Sequence, residues 1–231
     1  RQRQMCIRDR DSFYVHADTL VAVRRKDSTS LVRAYHQARF YKSNINGKAD
    51  SLVYNQQNGL LELLKDPIVW SGENQITGDV IYGYTNPKTE KIDSLHVVGA
   101  AFAIAKVDSL KDNEFNQVKG RKILAYYLDN QLDYVSVEGN AMGLSYMDEE
   151  DPKTKIKDRI GINHSTCGMI EADLVGRELH IVACRIQSNG KLYPEKEFPE
   201  ELRYLQGFNW RGGERMLHWR DIFLSKPTTT K

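Results

Sequence analysis

A run of thirteen residues recurs without gaps forty positions further along the chain, and this self-similarity constrains the fold more than any other feature. Ile92 to Ile104 (IDSLHVVGAAFAI) aligns on Leu132 to Leu144 (LDYVSVEGNAMGL), with Asp93/Asp133, Val97/Val137, Gly99/Gly139 and Ala101/Ala141 identical. Upstream of each copy, Asn74-Gln-Ile-Thr-Gly-Asp79 matches Asn116-Gln-Val-Lys-Gly-Arg121. A fainter copy spans Gly47 to Trp70, and His16-Ala-Asp-Thr-Leu-Val21 resembles Lys48-Ala-Asp-Ser-Leu-Val53.

Each unit reads as β structure. Short runs rich in Val, Ile, Tyr and Leu alternate with polar residues and are separated by turn signals, of which Asn58-Gly59 is the strongest and Asp129-Asn130 and Gly176-Arg177 are weaker. Within a unit the apolar parity switches: Leu61 and Leu63 are odd-numbered, Ile68 and Trp70 even. The same switch separates Leu95/Val97 from Phe102/Ile104 and Val135/Val137 from Met142/Leu144. Strand side chains alternate with period two, so keeping both pairs on one face demands a bulge or corner between them. Lys65-Asp66-Pro67, Gly99-Ala100-Ala101 and Gly139-Asn140-Ala141 occupy those places. The expected fold is all-β: an elongated antiparallel β-jellyroll of repeated bent hairpins, each adding a rung of apolar side chains to one interior.

Three segments follow. Residues 1–10 (RQRQMCIRDR) resemble the conceptual translation of a sequencing adapter and are set aside. Residues 11–190 are the repeat domain. Residues 191–231, with Pro194, Pro199 and the aromatic, Arg-rich run from Phe208 to Phe223, read as an irregular or short helical cap and tail. Four Arg and one Asp fall within 1–10, so the net charge of +2 becomes −1 for the rest, and no nucleic-acid partner is indicated. The longest apolar run, Val97 to Ala105, is far shorter than the roughly 20 residues of a spanning helix.

Chemical motifs are few. His164-x2-Cys167-x12-His180-x3-Cys184 has zinc-finger-like spacing, but residues four apart on a strand lie about 13 Å from each other, too far for one zinc. Cys167 and Cys184 can form a disulfide or remain buried thiols; with a turn at Gly176-Arg177, Cys184 faces Met169, one same-face position from Cys167. The charged stretch from Met147 to Asp158 lacks calcium-loop spacing and reads as a solvated loop. No nucleophile elbow, Walker loop or dinucleotide fingerprint is present, so neither enzyme chemistry nor a cofactor is expected. Tyr54, Tyr84, Tyr126 and Tyr127 could stack on sugars or bases, but on strands they read as half-buried sheet residues.

The informative set is the apolar rung itself: Leu61, Leu63, Ile68, Trp70, Leu95, Val97, Phe102, Ile104, Val135, Val137, Met142 and Leu144. These residues build either a packed core or an acyl-chain groove. A structural or glycan-binding β-repeat protein with a closed core is the alternative to a lipid carrier.

The V-x-V-x-G-N-A run Val135 to Ala141, beside the strands opening at Gly78-Asp79 and Gly120-Arg121, resembles the repeat of the OstA/LptA family of lipopolysaccharide-transport proteins, in particular the OstA-like proteins of Bacteroidetes-type bacteria. The resemblance covers about residues 14–190 and is strongest over 44–146. It implies a jellyroll, a twisted V of antiparallel strands whose interior holds lipid A acyl chains, with the twelve rung residues as the lipid-binding groove. It further implies end-to-end strand addition to itself or to other jellyroll transport components. A periplasmic, possibly outer-membrane-associated location follows, with a signal peptide expected upstream of this fragment. Residues 147–158 and 207–223 depart from the pattern of a minimal bridge protein.

Overall fold

The long strands of this chain turn corners at pairs of residues in the left-handed region of backbone space, and those corners generate the architecture. The structure, a computed structural model, describes residues 12–24, 30–89, 91–107, 113–129, 131–150, 157–175 and 178–223. The adapter-like residues 1–10 and the turn residues Gly176-Arg177 lie outside the described residues.

The strands are β1 (Tyr14–His16), β2 (Thr19–Arg24), β3 (Ser30–Lys42), β4 (Ile45–Asn55), β5 (Leu60–Leu64), β6 (Ile68–Ser71) and β7 (Asn74–Thr77). They continue with β8 (Val80–Thr85), β9 (Ile92–Lys106), β10 (Phe115–Leu128), β11 (Gln131–Glu150), β12 (Lys157–Val175), β13 (Glu178–Arg185) and β14 (Asn189–Tyr193). All belong to one antiparallel sheet, ordered β1-β3-β4-β5-β8-β9-β10-β11-β12-β13, with β2 on β3, β6 and β7 bridging β4 to β9, and β14 on β12. The fold is the all-β antiparallel jellyroll of bent hairpins that the repeats imply.

Corners stand at Lys65-Asp66, Gly99-Ala100 and Gly139-Asn140, within the three segments where the parity switches, and also at His36-Gln37 and Ile186-Gln187. Opposite four of these pairs, one residue on the neighbouring strand donates its N–H into the corner: Asp18 to the His36 carbonyl, Asp50 to Lys65, Asp79 to Gly99 and Gly168 to Ile186, at 2.8–3.0 Å. Two residues against one is a β-bulge, which reverses the parity of everything beyond it. At the Gly139 corner the single opposing residue is Arg121, and its side chain fills the place where a Cβ of Gly139 would stand.

The corners divide the sheet into two limbs. The first contains β2, β5, β8, β13 and the adjoining halves of β3, β4, β9, β10, β11 and β12; the second contains β1, β6, β7, β14 and the other halves. The first limb's core includes Leu52, Leu63, Ile81, Val97, Ile123 and Val137. The second limb's interior is shared with the C-terminal segment, through Phe198, Leu205, Met216 and Ile222.

Two readings of the sequence need correction. The charged stretch 147–158 is not a loop throughout: β11 runs to Glu150 and β12 begins at Lys157, with Asp148 opposite Arg159 and Glu149 opposite Asp158. Charge pairing across the hairpin lets the strands run on, and Arg159 is bound by both Asp148 and Glu114. The sheet also continues through β14 to Tyr193, three residues past position 190. Beyond it the chain forms short 3-10 turns at Glu195–Glu197, Glu200–Leu202, Gly212–Glu214 and Trp219–Phe223.

Candidate functional site

Inward side chains of the first limb do not close on one another over its N-terminal half. With Val15, Phe40 and Val69 of the second limb they surround a cavity of about 680 Å³, lined also by Val32, Leu61 and Leu63. Its lining is mostly apolar; Ser12, Lys42, Asn44 and Gln56 are among the polar contributors. Tyr54, one of the tyrosines singled out in the sequence, also lines it. A cavity of this size and lining can hold apolar chains.

Of the twelve rung residues, Leu61, Leu63 and Leu95 line this cavity. Val97 and Val137 are buried in the same core, and Val135 packs against it. The remaining six belong to the second limb, where the C-terminal segment lies over them. Phe102, Ile104, Leu144 and Met142 share a cluster with Phe198, Leu205, Phe208 and Trp210. Ile68 and Trp70 share another with Met216 and Ile222. The sequence thus places all twelve on inward faces, and the structure separates them into an open limb and a covered one.

Polar residues absent from the sequence-derived site hold that covering segment. Asn46, Trp70, Gln75, Ile104, Gln117 and Leu144 form one row across the second limb, each opposite the next in register. The Gln75 amide donates to the Asn209 carbonyl and accepts from the Arg211 N–H, both at 2.7 Å. Gln117 does the same six residues earlier, donating to the Arg203 carbonyl and accepting from the Leu205 N–H, both at 2.9 Å. Asn46 accepts from the Met216 N–H at 3.3 Å. The signal for the two glutamines was in the sequence, since Asn74-Gln75 and Asn116-Gln117 are identical in the repeat.

Charge fixes the segment further. Lys119 donates to the Gln206 carbonyl at 2.7 Å, Arg211 pairs with Asp66 at 3.2 Å, and Glu214 pairs with Lys48 and with Arg211. Burial alone would push the Glu214 carboxyl up, but Arg211 and Lys48 outweigh it and hold it at about 2. Arg159 is similarly held charged: burial works against its guanidinium, and Glu114 and Asp148 prevail.

Cys167 and Cys184 are joined in a disulfide, with Cα atoms 5.9 Å apart. The register inferred from the sequence was one residue off. Cys184 lies opposite Ile170 rather than Met169, because the pairing of β12 and β13 shifts between Asp173 and Leu174, and the bulge at Gly168 brings Cys167 round to it. With both sulfurs used, the His164/Cys167/His180/Cys184 set cannot bind zinc.

Residues 8–91 match the family model described as LptA/(LptD N-terminal domain) LPS transport protein. The chain resembles the lipopolysaccharide-transport proteins of the LptA type. The matched span holds nearly all of the cavity: of its lining residues, only Ile92 and Leu95 fall beyond it. Among solved structures, LptH, the LptA-homologous periplasmic component of the lipopolysaccharide transport device from Pseudomonas aeruginosa, is similar at 17% identity and a TM-score of 0.46, over 66% of this chain and 99% of LptH. A comparison with curated proteins finds no match.

Proposed function

We propose that this chain is a non-enzymatic lipopolysaccharide-transport protein of the periplasm that holds lipid A acyl chains in the apolar cavity of its jellyroll. The observation that carries this reading is the coincidence of the apolar cavity with the segment that matches the LptA/LptD family model. Burial of acyl surface at about 25 cal/mol per Å² supplies several kcal/mol per chain without polar contacts, so a mostly apolar trough suffices for binding. The Cys167–Cys184 disulfide fits an oxidising compartment such as the periplasm.

Partners that extend the sheet would dock at its ends. Among the described residues β2 pairs only with β3 and exposes Leu20, Val21 and Val23, and β13 pairs only with β12 and exposes Ile181 and Val182. Such edges invite strand addition by a second copy or by another jellyroll component.

The test is the lipid that accompanies the protein. Purified from the periplasm of a Gram-negative host, the chain is expected to carry lipopolysaccharide detectable by native mass spectrometry. A Val32→Asp variant, with a charge in the cavity wall, should carry several-fold less. Protein that is free of lipid, or a variant that carries as much as the parent, would contradict the reading.

A further inference from the structure

The second limb presents a problem for a chain whose inward faces serve lipid. Asn46, Gln75 and Gln117 point inward there and are 7%, 1% and 3% exposed. In an acyl groove each amide would face hydrocarbon with no partner, which is unfavourable for every donor and acceptor left unpaired. Here none is wasted, because a main chain lies over them.

The bonding pattern is also specific. Gln75 and Gln117 each span the carbonyl of one residue and the N–H of the residue two further on, Asn209/Arg211 and Arg203/Leu205. Each glutamine thus satisfies a carbonyl and an N–H of an irregular chain that no strand accompanies. The segment runs across the strands, from β10 towards β4, where the sheet's own backbone groups are already committed to the ladder. Side-chain amides from alternate strands of the row replace the missing backbone partners, and Trp70, Ile104 and Leu144 between them form the apolar seats.

We infer that the inner face of the second limb is a peptide-binding trough, and that residues 203–222 are its ligand, exchangeable for the same segment presented in trans. The ligand class is an irregular peptide with short 3-10 turns, read mainly through its main chain, with apolar anchors at the positions of Leu205, Met216 and Ile222 and an acid at Glu214 to meet Lys48. The trough shares no core residue with the cavity of the transport reading and stands independently of it.

The test uses the full chain with a specific protease site replacing the exposed turn Glu195–Glu197. After cleavage the segment should stay with the jellyroll through gel filtration at micromolar concentration. A fluorescent synthetic peptide of residues 198–223 should then exchange into the trough. The same peptide with ester linkages in place of the amide N–H of Leu205 and Arg211 loses the two N–H groups that the glutamines accept from without added bulk, and it should compete at least ~tenfold more weakly. Because only the peptide is altered, folding of the jellyroll is not at issue. Equal competition by the two peptides would overturn the inference, as would a segment that leaves unaided on cleavage or one that no peptide displaces.

Discussion

Gln75 and Gln117 stand in one row of the second limb with Ile104 between them, and each closes the same two-bond bridge onto the C-terminal segment. Removing the Gln117 amide leaves the buried Leu205 N–H and the part-buried Arg203 carbonyl without partners. Gln117→Leu should therefore destabilise the protein by about 1–3 kcal/mol, lowering Tm by roughly 2–4 °C per kcal/mol for a chain of this size. Gln131→Ala, at an exposed hairpin position, should change nothing measurable. Equal thermal melts for the two variants would show that the bridges contribute no stability.

Acid should loosen the covered limb through Glu214. Its carboxyl is held at about 2, below its ordinary value of 4.5, so its stabilising contribution is complete above about 4.5 and is lost as the pH falls towards 2. Trp210 and Trp219 lie in the covering segment and report its attachment by fluorescence. The parent protein should show a loss of stability between pH 4.5 and 2 that is larger than that of Glu214→Gln, which lacks this titrating group but keeps the lowered carboxyls of Asp50, Asp129, Glu171 and Glu200. Parallel pH profiles for the two proteins would contradict the assignment.

The corner at Gly99-Ala100 makes opposite predictions for adjacent residues. Ala100 sits at φ 42°, where a side chain costs about 1–2 kcal/mol, so Ala100→Gly should be neutral or stabilising by up to about 1 kcal/mol after the entropy of the more flexible unfolded chain is counted. Gly99→Ala would place a Cβ 2.0 Å from Asp79 Oδ2 at φ 73°, and should destabilise by about 1–3 kcal/mol. Urea unfolding of the pair checks the sign of both.

Reduction should cost the first limb its last staple. The Cys167–Cys184 bridge closes a loop with a sequence separation of 17, for which chain-entropy arguments give about 3 kcal/mol. Dithiothreitol, or Cys184→Ser, should lower the urea midpoint accordingly and raise hydrogen exchange in β12 and β13 first. An unchanged midpoint would mean that the hairpin holds without it.

These elements were legible in the sequence to different degrees, for physical reasons. The corners at 65–66, 99–100 and 139–140 announce themselves by the parity switch and, at two of them, by Gly and Asn, residues that tolerate positive φ. His36-Gln37 and Ile186-Gln187 do not, because their backbone is set by the single residue opposite, Asp18 or Gly168, on another strand. The sequence leaves the disulfide open against buried thiols and places its register one residue off, since the shift between Asp173 and Leu174 has no local signature in β12. The covering of Phe102, Met142 and Trp70 was invisible because the segment from Pro194 has no periodicity. Its path is dictated by three amides lying 80 or more residues upstream of it.

The central claim is that apolar ligand enters the cavity lined by Leu61 and not the interior covered by the C-terminal segment, and site-specific photo-crosslinking measures this most directly. A photoreactive amino acid at Leu61, in the cavity wall, and another at Phe102, beneath the C-terminal segment, would be introduced singly into the full chain expressed in a Gram-negative periplasm. Illumination should yield a lipopolysaccharide adduct at Leu61 and an intramolecular link to residues 198–210 at Phe102. Lipopolysaccharide captured at Phe102 as strongly as at Leu61, or at neither, would contradict the account.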